Sequence, residues 1–158
     1  MQALWVGLLA AVVAVTSAAA PVTSERIAGS LRLEAVIPAR AFAAGTSVPI
    51  TLSVHNRASA PVTISFASGQ RYDAIARRPR GDEVWRWSHD KAFVQNVQMV
   101  VLKPGEELSY RMNWDQQDLQ GRQVDPGTYE IVVIFMGQPE TDRGQGIALP
   151  PLLITITP

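Results

Sequence analysis

The chain has 158 residues, enough for one domain with a substantial core and too few for two comfortable ones. Its 14 basic residues balance 14 acidic ones beside two histidines, which removes the basic footprint of a nucleic-acid binder and leaves no like-charge tail. Cysteine is absent, so a disulfide framework, a thiolate nucleophile and a cysteine-ligated metal are excluded.

From Ala3 to Val15 the sequence is apolar without interruption, then runs through Thr16-Ser17-Ala18-Ala19-Ala20 to Pro21. A short apolar stretch ending in small residues has the form of a signal peptide, and it falls short of the roughly 20 residues of a spanning helix. Residues 1–20 therefore read as an export leader, with an uncleaved anchor as the competing reading. No Lys or Arg precedes Arg26, so only the terminal amine supplies positive charge. The expected product is periplasmic or extracellular, with no membrane contact after leader cleavage. Residues 21–29 are mostly small and polar and read as a flexible tether before a folded domain at 30–158.

Period-two alternation follows. Leu31, Leu33, Ala35 and Ile37 share one strand face, and Val48, Ile50, Leu52 and Val54 share another, leaving His55 outward. Val62, Ile64 and Phe66 repeat the pattern, as do Leu108, Tyr110, Met112 and Trp114. Residues 128–136 are apolar on both faces beyond Glu130, which predicts a central strand, and 152–157 close the set. Turn formers separate these runs at 56–61, Ser68-Gly69, Pro79-Arg80-Gly81-Asp82, Lys103-Pro104-Gly105 and Asp125-Pro126-Gly127. About nine short strands without a helical period predict an all-β, antiparallel sandwich. Two connections are long, 115–126 and 137–149. Strict alternation of connections would gather 38–46, 67–70, 88–96 and 115–126 at one end. The other end would then hold 57–60, 79–82, 103–107 and 137–149.

The chemistry-bearing residues are sparse. Ser88, His89 and Asp90 have the residue types of a hydrolase triad, but consecutive residues leave the backbone in different directions and cannot line up. A polar turn is the better reading. His55 and His89 belong to no spaced ligand cluster, and no phosphate loop or nucleophile elbow occurs. No catalytic residue, metal or cofactor is therefore expected. Arg80-Gly81-Asp82 matches an adhesion tripeptide, yet Pro-Arg-Gly-Asp is equally a sensible hairpin turn. Trp85 and Trp87 share a face opposite Arg86. They could form an aromatic platform, but burial in the core is the favoured reading.

Ser68-Gly69-Gln70-Arg71-Tyr72-Asp73 after Phe66, followed by Val84-Trp85-Arg86-Trp87-Ser88 and Phe93, resembles the BsuPI family of intracellular proteinase inhibitors. Leu102-Lys103-Pro104-Gly105-Glu106, Trp114 and Val124-Asp125-Pro126-Gly127-Thr128-Tyr129 agree in order, so the likeness covers roughly residues 31–136. It implies an immunoglobulin-like sandwich that inhibits a serine protease. The motif residues Ser68, Gly69, Gln70, Tyr72, Asp73, Trp85, Trp87, Ser88 and Trp114 mark the family, and no reactive-site residue transfers with them. The chain departs from the pattern in its leader and in Ala74, which stands where an aromatic is expected.

The reading that follows is an extracytoplasmic protein-binding sandwich, with Arg77, Arg78 and Arg80 as candidate contacts for a trypsin-like pocket. The alternative is a structural or envelope-assembly module without inhibitory activity. An enzyme comes third, because no constellation could activate a nucleophile or a water.

Overall fold

The structure, a computed structural model, describes residues 19–139 and 146–158. Thirteen strands run through them: β1 (Val22–Ala28), β2 (Leu31–Ile37), β3 (Ala41–Ala43), β4 (Val48–Asn56), β5 (Val62–Phe66), β6 (Tyr72–Arg77), β7 (Glu83–Arg86), β8 (Gln98–Leu102), β9 (Glu107–Trp114), β10 (Gly127–Phe135), β11 (Gln138–Pro139), β12 (Ile147–Ala148) and β13 (Leu152–Thr157). They make an all-β sandwich. One sheet has the order β1-β2-β4-β9 and a second β3-β13-β10-β6-β7, with β12 also pairing β10. A third, smaller sheet runs β11-β5-β8.

The alternating faces meet in one core. Leu31, Leu33, Ala35 and Ile37 of β2, and Val48, Ile50, Leu52 and Val54 of β4, are all buried. They pack in a common cluster with Ala74 and Ala76 of β6, Tyr129, Ile131, Val133 and Phe135 of β10, and the inward residues of β13. Register keeps apolar opposite apolar: Leu33 faces Val54, which faces Leu108, and Ile131 lies between Ala76 and Leu152. Each buried large side chain contributes about 1.5–3 kcal/mol, and a one-residue slip would turn a whole face outward. The central position expected for 128–136 is seen in β10, which pairs with β6 and β13.

Three expectations need correction. Residues 22–28 are no tether: β1 pairs with β2 from Val22 opposite Ile37 to Ala28 opposite Leu31. Only Val22 and Ser24 of this strand are buried, so main-chain pairing rather than an apolar face defines it, and hydropathy carries no trace of that. The strands number thirteen, not about nine, the excess being β1 and the two- or three-residue strands β3, β11 and β12. The pairing of β3 with β13 is parallel, an exception to the antiparallel pattern. Residues 1–18 of the expected leader, and 140–145 of the long 137–149 connection, lie outside the described residues.

The loop grouping fails: Glu130 pairs with Arg77 and Phe135 with Tyr72, so 115–126 enters β10 at the 79–82 end while 67–70 enters β6 at the 137–149 end. Gly69 N–H donates to the Val94 carbonyl and Gly45 N–H to Gln116 Oε1, which ties 67–70 to 88–96 and 38–46 to 115–126. Leu119 N–H donates to the Val84 carbonyl at 2.9 Å, and Arg78 lies against Tyr129 and Asp125, so the β6–β7 hairpin sits beside 115–126. Alternation breaks between β5 and β6, where the chain crosses from the third sheet to the second instead of reversing within one.

Candidate functional site

The motif residues form the scaffold behind the loops. Asp73 on β6 is buried, and its carboxylate accepts four hydrogen bonds. The donors are Ala74 N–H at 2.9 Å, Ser88 N–H at 3.1 Å, Ser88 Oγ at 2.7 Å and Arg86 Nη1 at 3.0 Å. Arg86 also binds Glu83, whose carboxylate raises the guanidinium pKa and keeps it charged. The Asp73 charge is thus paired and hydrogen-bonded, as burial demands. Its consequence is positional, because the carboxylate pins the chain where β7 turns into the 87–97 loop.

The Ser68-Gly69-Gln70 turn holds the far side of that loop. Gln70 N–H donates to Ser68 Oγ, Gln70 Nε2 donates to the Tyr72 carbonyl, and Gly69 N–H reaches Val94. A Cβ on Gly69 would lie 3.5 Å from the Val94 nitrogen, so the two segments pass close together. Tyr72 packs against Trp87 with ring centres 4.4 Å apart and planes tilted by 42°, and Trp87 meets Phe93 at 6.1 Å. Burial pushes the Tyr72 and Tyr110 hydroxyl pKa values up.

Trp114 is fully buried and donates its indole N–H to the Gln117 carbonyl. Trp85 stacks on it at 6.0 Å, while Trp85 and Trp87 are only half-buried. The two indoles pack on the core with one side and border a cleft of about 320 Å³ with the other. Asn113, Asp115 and Leu119 also line it. The inner side of these rings packs on the core and the outer side lines the cleft.

The 115–126 connection is built rigidly. Gln116 is completely buried in a left-handed conformation (φ 58°), its side chain donating to the Ala43 carbonyl and accepting from Gly45 N–H. Asp118 accepts the N–H groups of Gln120 and Arg122 and pairs with the Arg122 guanidinium. The Arg122 N–H holds the Asp118 pKa below its ordinary value against an opposing desolvation. Tyr129 donates its hydroxyl to the Asp125 carbonyl four residues upstream at 2.6 Å, fixing the loop's exit. The roles of Gln116 and Asp118 were not anticipated, since neither sits in a motif.

The three arginines do not converge. Arg77 is paired with Glu130 at 2.8 Å on the outer face of the second sheet. Arg78 lies over the Tyr129 ring at 4.3 Å, its Nη1 against Gly127, whose φ of 141° favours glycine there. Arg80 is exposed at the hairpin tip, in a left-handed conformation (φ 56°), in a turn closed by Gly81 N–H on the Arg78 carbonyl. It makes no hydrogen bond or ion pair among the described residues.

Ser88 Oγ is spent on Asp73, so it does not face His89. His55 Nε2 is 3.6 Å from Glu107 in a partly exposed pair. Among the described residues no group of three acids or histidines could hold a metal, and no helix is long and apolar enough to cross a membrane.

The geometry is that of a sandwich whose motif residues brace a face of three adjoining loops. The family model described as BsuPI, intracellular proteinase inhibitor, matches residues 36–140, and the chain belongs to that family. It is a family of proteinase inhibitors, not of enzymes, and the partner it implies is a protein. Its description is intracellular, which points to the cytoplasm and overturns the expectation of a periplasmic or extracellular product. No curated protein matches the chain. Among solved structures, a β-glucosidase from Listeria innocua aligns at 15% identity and a TM-score of 0.45, over 81% of this chain and 16% of that one. The sporulation control protein from Bacillus subtilis aligns at 15% identity and a TM-score of 0.42, over 82% of this chain and 50% of the other. These likenesses carry no functional argument.

Proposed function

We propose that the chain inhibits a serine proteinase by presenting the β6–β7 hairpin, with Arg80 entering the enzyme's primary pocket. The observation that carries this reading is the Arg80 conformation. A non-glycine residue at positive φ is uncommon and costs of order 1 kcal/mol, so it persists where the surroundings impose it. Here a 2.9 Å turn hydrogen bond closes the tip, where the Arg80 guanidinium has no partner among the described residues. Arg77 and Arg78 serve as anchors, one held by Glu130 and the other by Tyr129.

A stiff tip favours inhibition, because ordering a flexible loop on binding lowers affinity. One hairpin covers little of the roughly 1,600 Å² of a standard complex, and the adjoining 115–126 and 87–91 segments supply a continuous neighbouring surface. The test is a panel of purified serine proteinases assayed with the full chain. Enzymes that cleave after arginine should be inhibited and those that cleave after large apolar residues spared. The reverse preference would reject the hairpin as the reactive segment.

A further inference from the structure

We infer that the β8 edge is a self-association surface, on which a second copy of this chain adds its own β8 antiparallel across a twofold axis. A sheet edge presents unpaired N–H and C=O groups and templates pairing unless it is covered or blocked. Most of the other edges make at least one contact beyond their ladders. Ser24 and Arg26 of β1 donate to the carbonyls of Pro150 and Ala148, and Ala43 of β3 accepts from Gln116. Val84 of β7 accepts from Leu119, and Tyr72 donates to Arg111 of β9. In β11 Pro139 has no N–H to offer. The β8 edge differs in carrying no charged side chain from Gln98 to Leu102. Of its main-chain groups, beyond the pairing with β5, only the Leu102 carbonyl has a partner, Asn56, among the described residues.

The side chains point the same way. Val97, Met99 and Val101 alternate along one face and are 68%, 66% and 58% exposed. Their neighbours on β5, Ser65 and Thr63, are too small to cover them. No charged residue occurs from Ala92 to Leu102, so the charges that normally guard an edge are missing.

Charge and register select a second copy as the occupant. Antiparallel pairing centred on Met99 sets Met99 opposite itself, Val97 opposite Val101 and Gln95 opposite Lys103. Apolar groups then face apolar ones, no like charges are opposed, and the two three-stranded sheets become one continuous sheet. This inference is independent of the Arg80 reading.

Sedimentation velocity of the full chain over a concentration series, with amide hydrogen exchange, tests it. The expected result is a monomer–dimer equilibrium in which the outward amides of 97–102 gain protection as dimer forms. Met99→Lys places two ammonium groups face to face and should weaken the dimer about tenfold or more, with an unchanged melting transition. Val101→Thr, which keeps β-branching, should weaken it less. A chain that stays monomeric throughout, a dimer indifferent to both substitutions, or one protected elsewhere would each overturn the proposal. So would protection of 97–102 by a proteinase on a monomeric chain.

Discussion

The Asp73 carboxylate and the Ser88 hydroxyl lie 2.7 Å apart, the hydroxyl donating, although fifteen residues separate them in sequence. The same carboxylate takes Arg86 and the Ser88 N–H, so one buried acid joins β6 to the far end of β7. Removing it strands several donors at once. Asp73→Ala should lower stability by about 2–4 kcal/mol and Ser88→Ala by about 1 kcal/mol in urea unfolding. A double-mutant cycle should return a coupling comparable to the Ser88 loss, and additive effects would show that the pair does not interact.

The tryptophans differ in depth and should differ in cost. Trp114→Ala removes a fully buried indole and its hydrogen bond to Gln117, and should cost about 3–5 kcal/mol. Trp85, half-buried and stacked on Trp114, should cost less, about 1–3 kcal/mol for Trp85→Ala. Equal losses in thermal or urea unfolding would contradict the burial difference.

The strands that bury a face could be read from the sequence. Leu31 to Ile37 and Val48 to Val54 alternate cleanly because one side of each strand meets the core. β1 was illegible because Thr23, Glu25 and Ile27 all face outward and main-chain bonds hold the strand. The family motif was visible as letters, but its work was not. Nothing in Ser-Gly-Gln-Arg-Tyr-Asp discloses that Asp73 captures Ser88, since that contact needs the β6–β7 register. Arg77, Arg78 and Arg80 look equivalent in sequence. The fold separates them by sending Arg77 to the outer sheet face, Arg78 onto an aromatic ring and Arg80 to a turn tip.

Acid should loosen the 118–122 turn. Hydrogen bonds from the Arg122 and Gln120 N–H groups, with the Arg122 guanidinium, depress the folded pKa of Asp118 below its ordinary value of 3.8. A depressed carboxylate contributes stability above the unfolded pKa and loses it as pH falls through the lower folded value. Carboxyl NMR should place the Asp118 midpoint below that of an aspartate in the denatured chain. Exchange at Gln120 and Arg122, relative to intrinsic rates, should quicken across that same interval. Asp118→Asn should remove the pH dependence, and its persistence in that variant would assign it to another group.

In the proposed complex the hairpin tip, and not its anchored neighbours, meets the proteinase. This contact is tested most directly by the inhibition constant of Arg80→Ala against an arginine-directed serine proteinase, beside Arg77→Ala and with melting curves for both. Arg80→Ala should weaken inhibition about a hundredfold or more while melting like the parent chain, as loss of a dominant contact does. Arg77→Ala, which loses a partly exposed ion pair, should change inhibition little. Unchanged inhibition by Arg80→Ala would contradict the proposed contact.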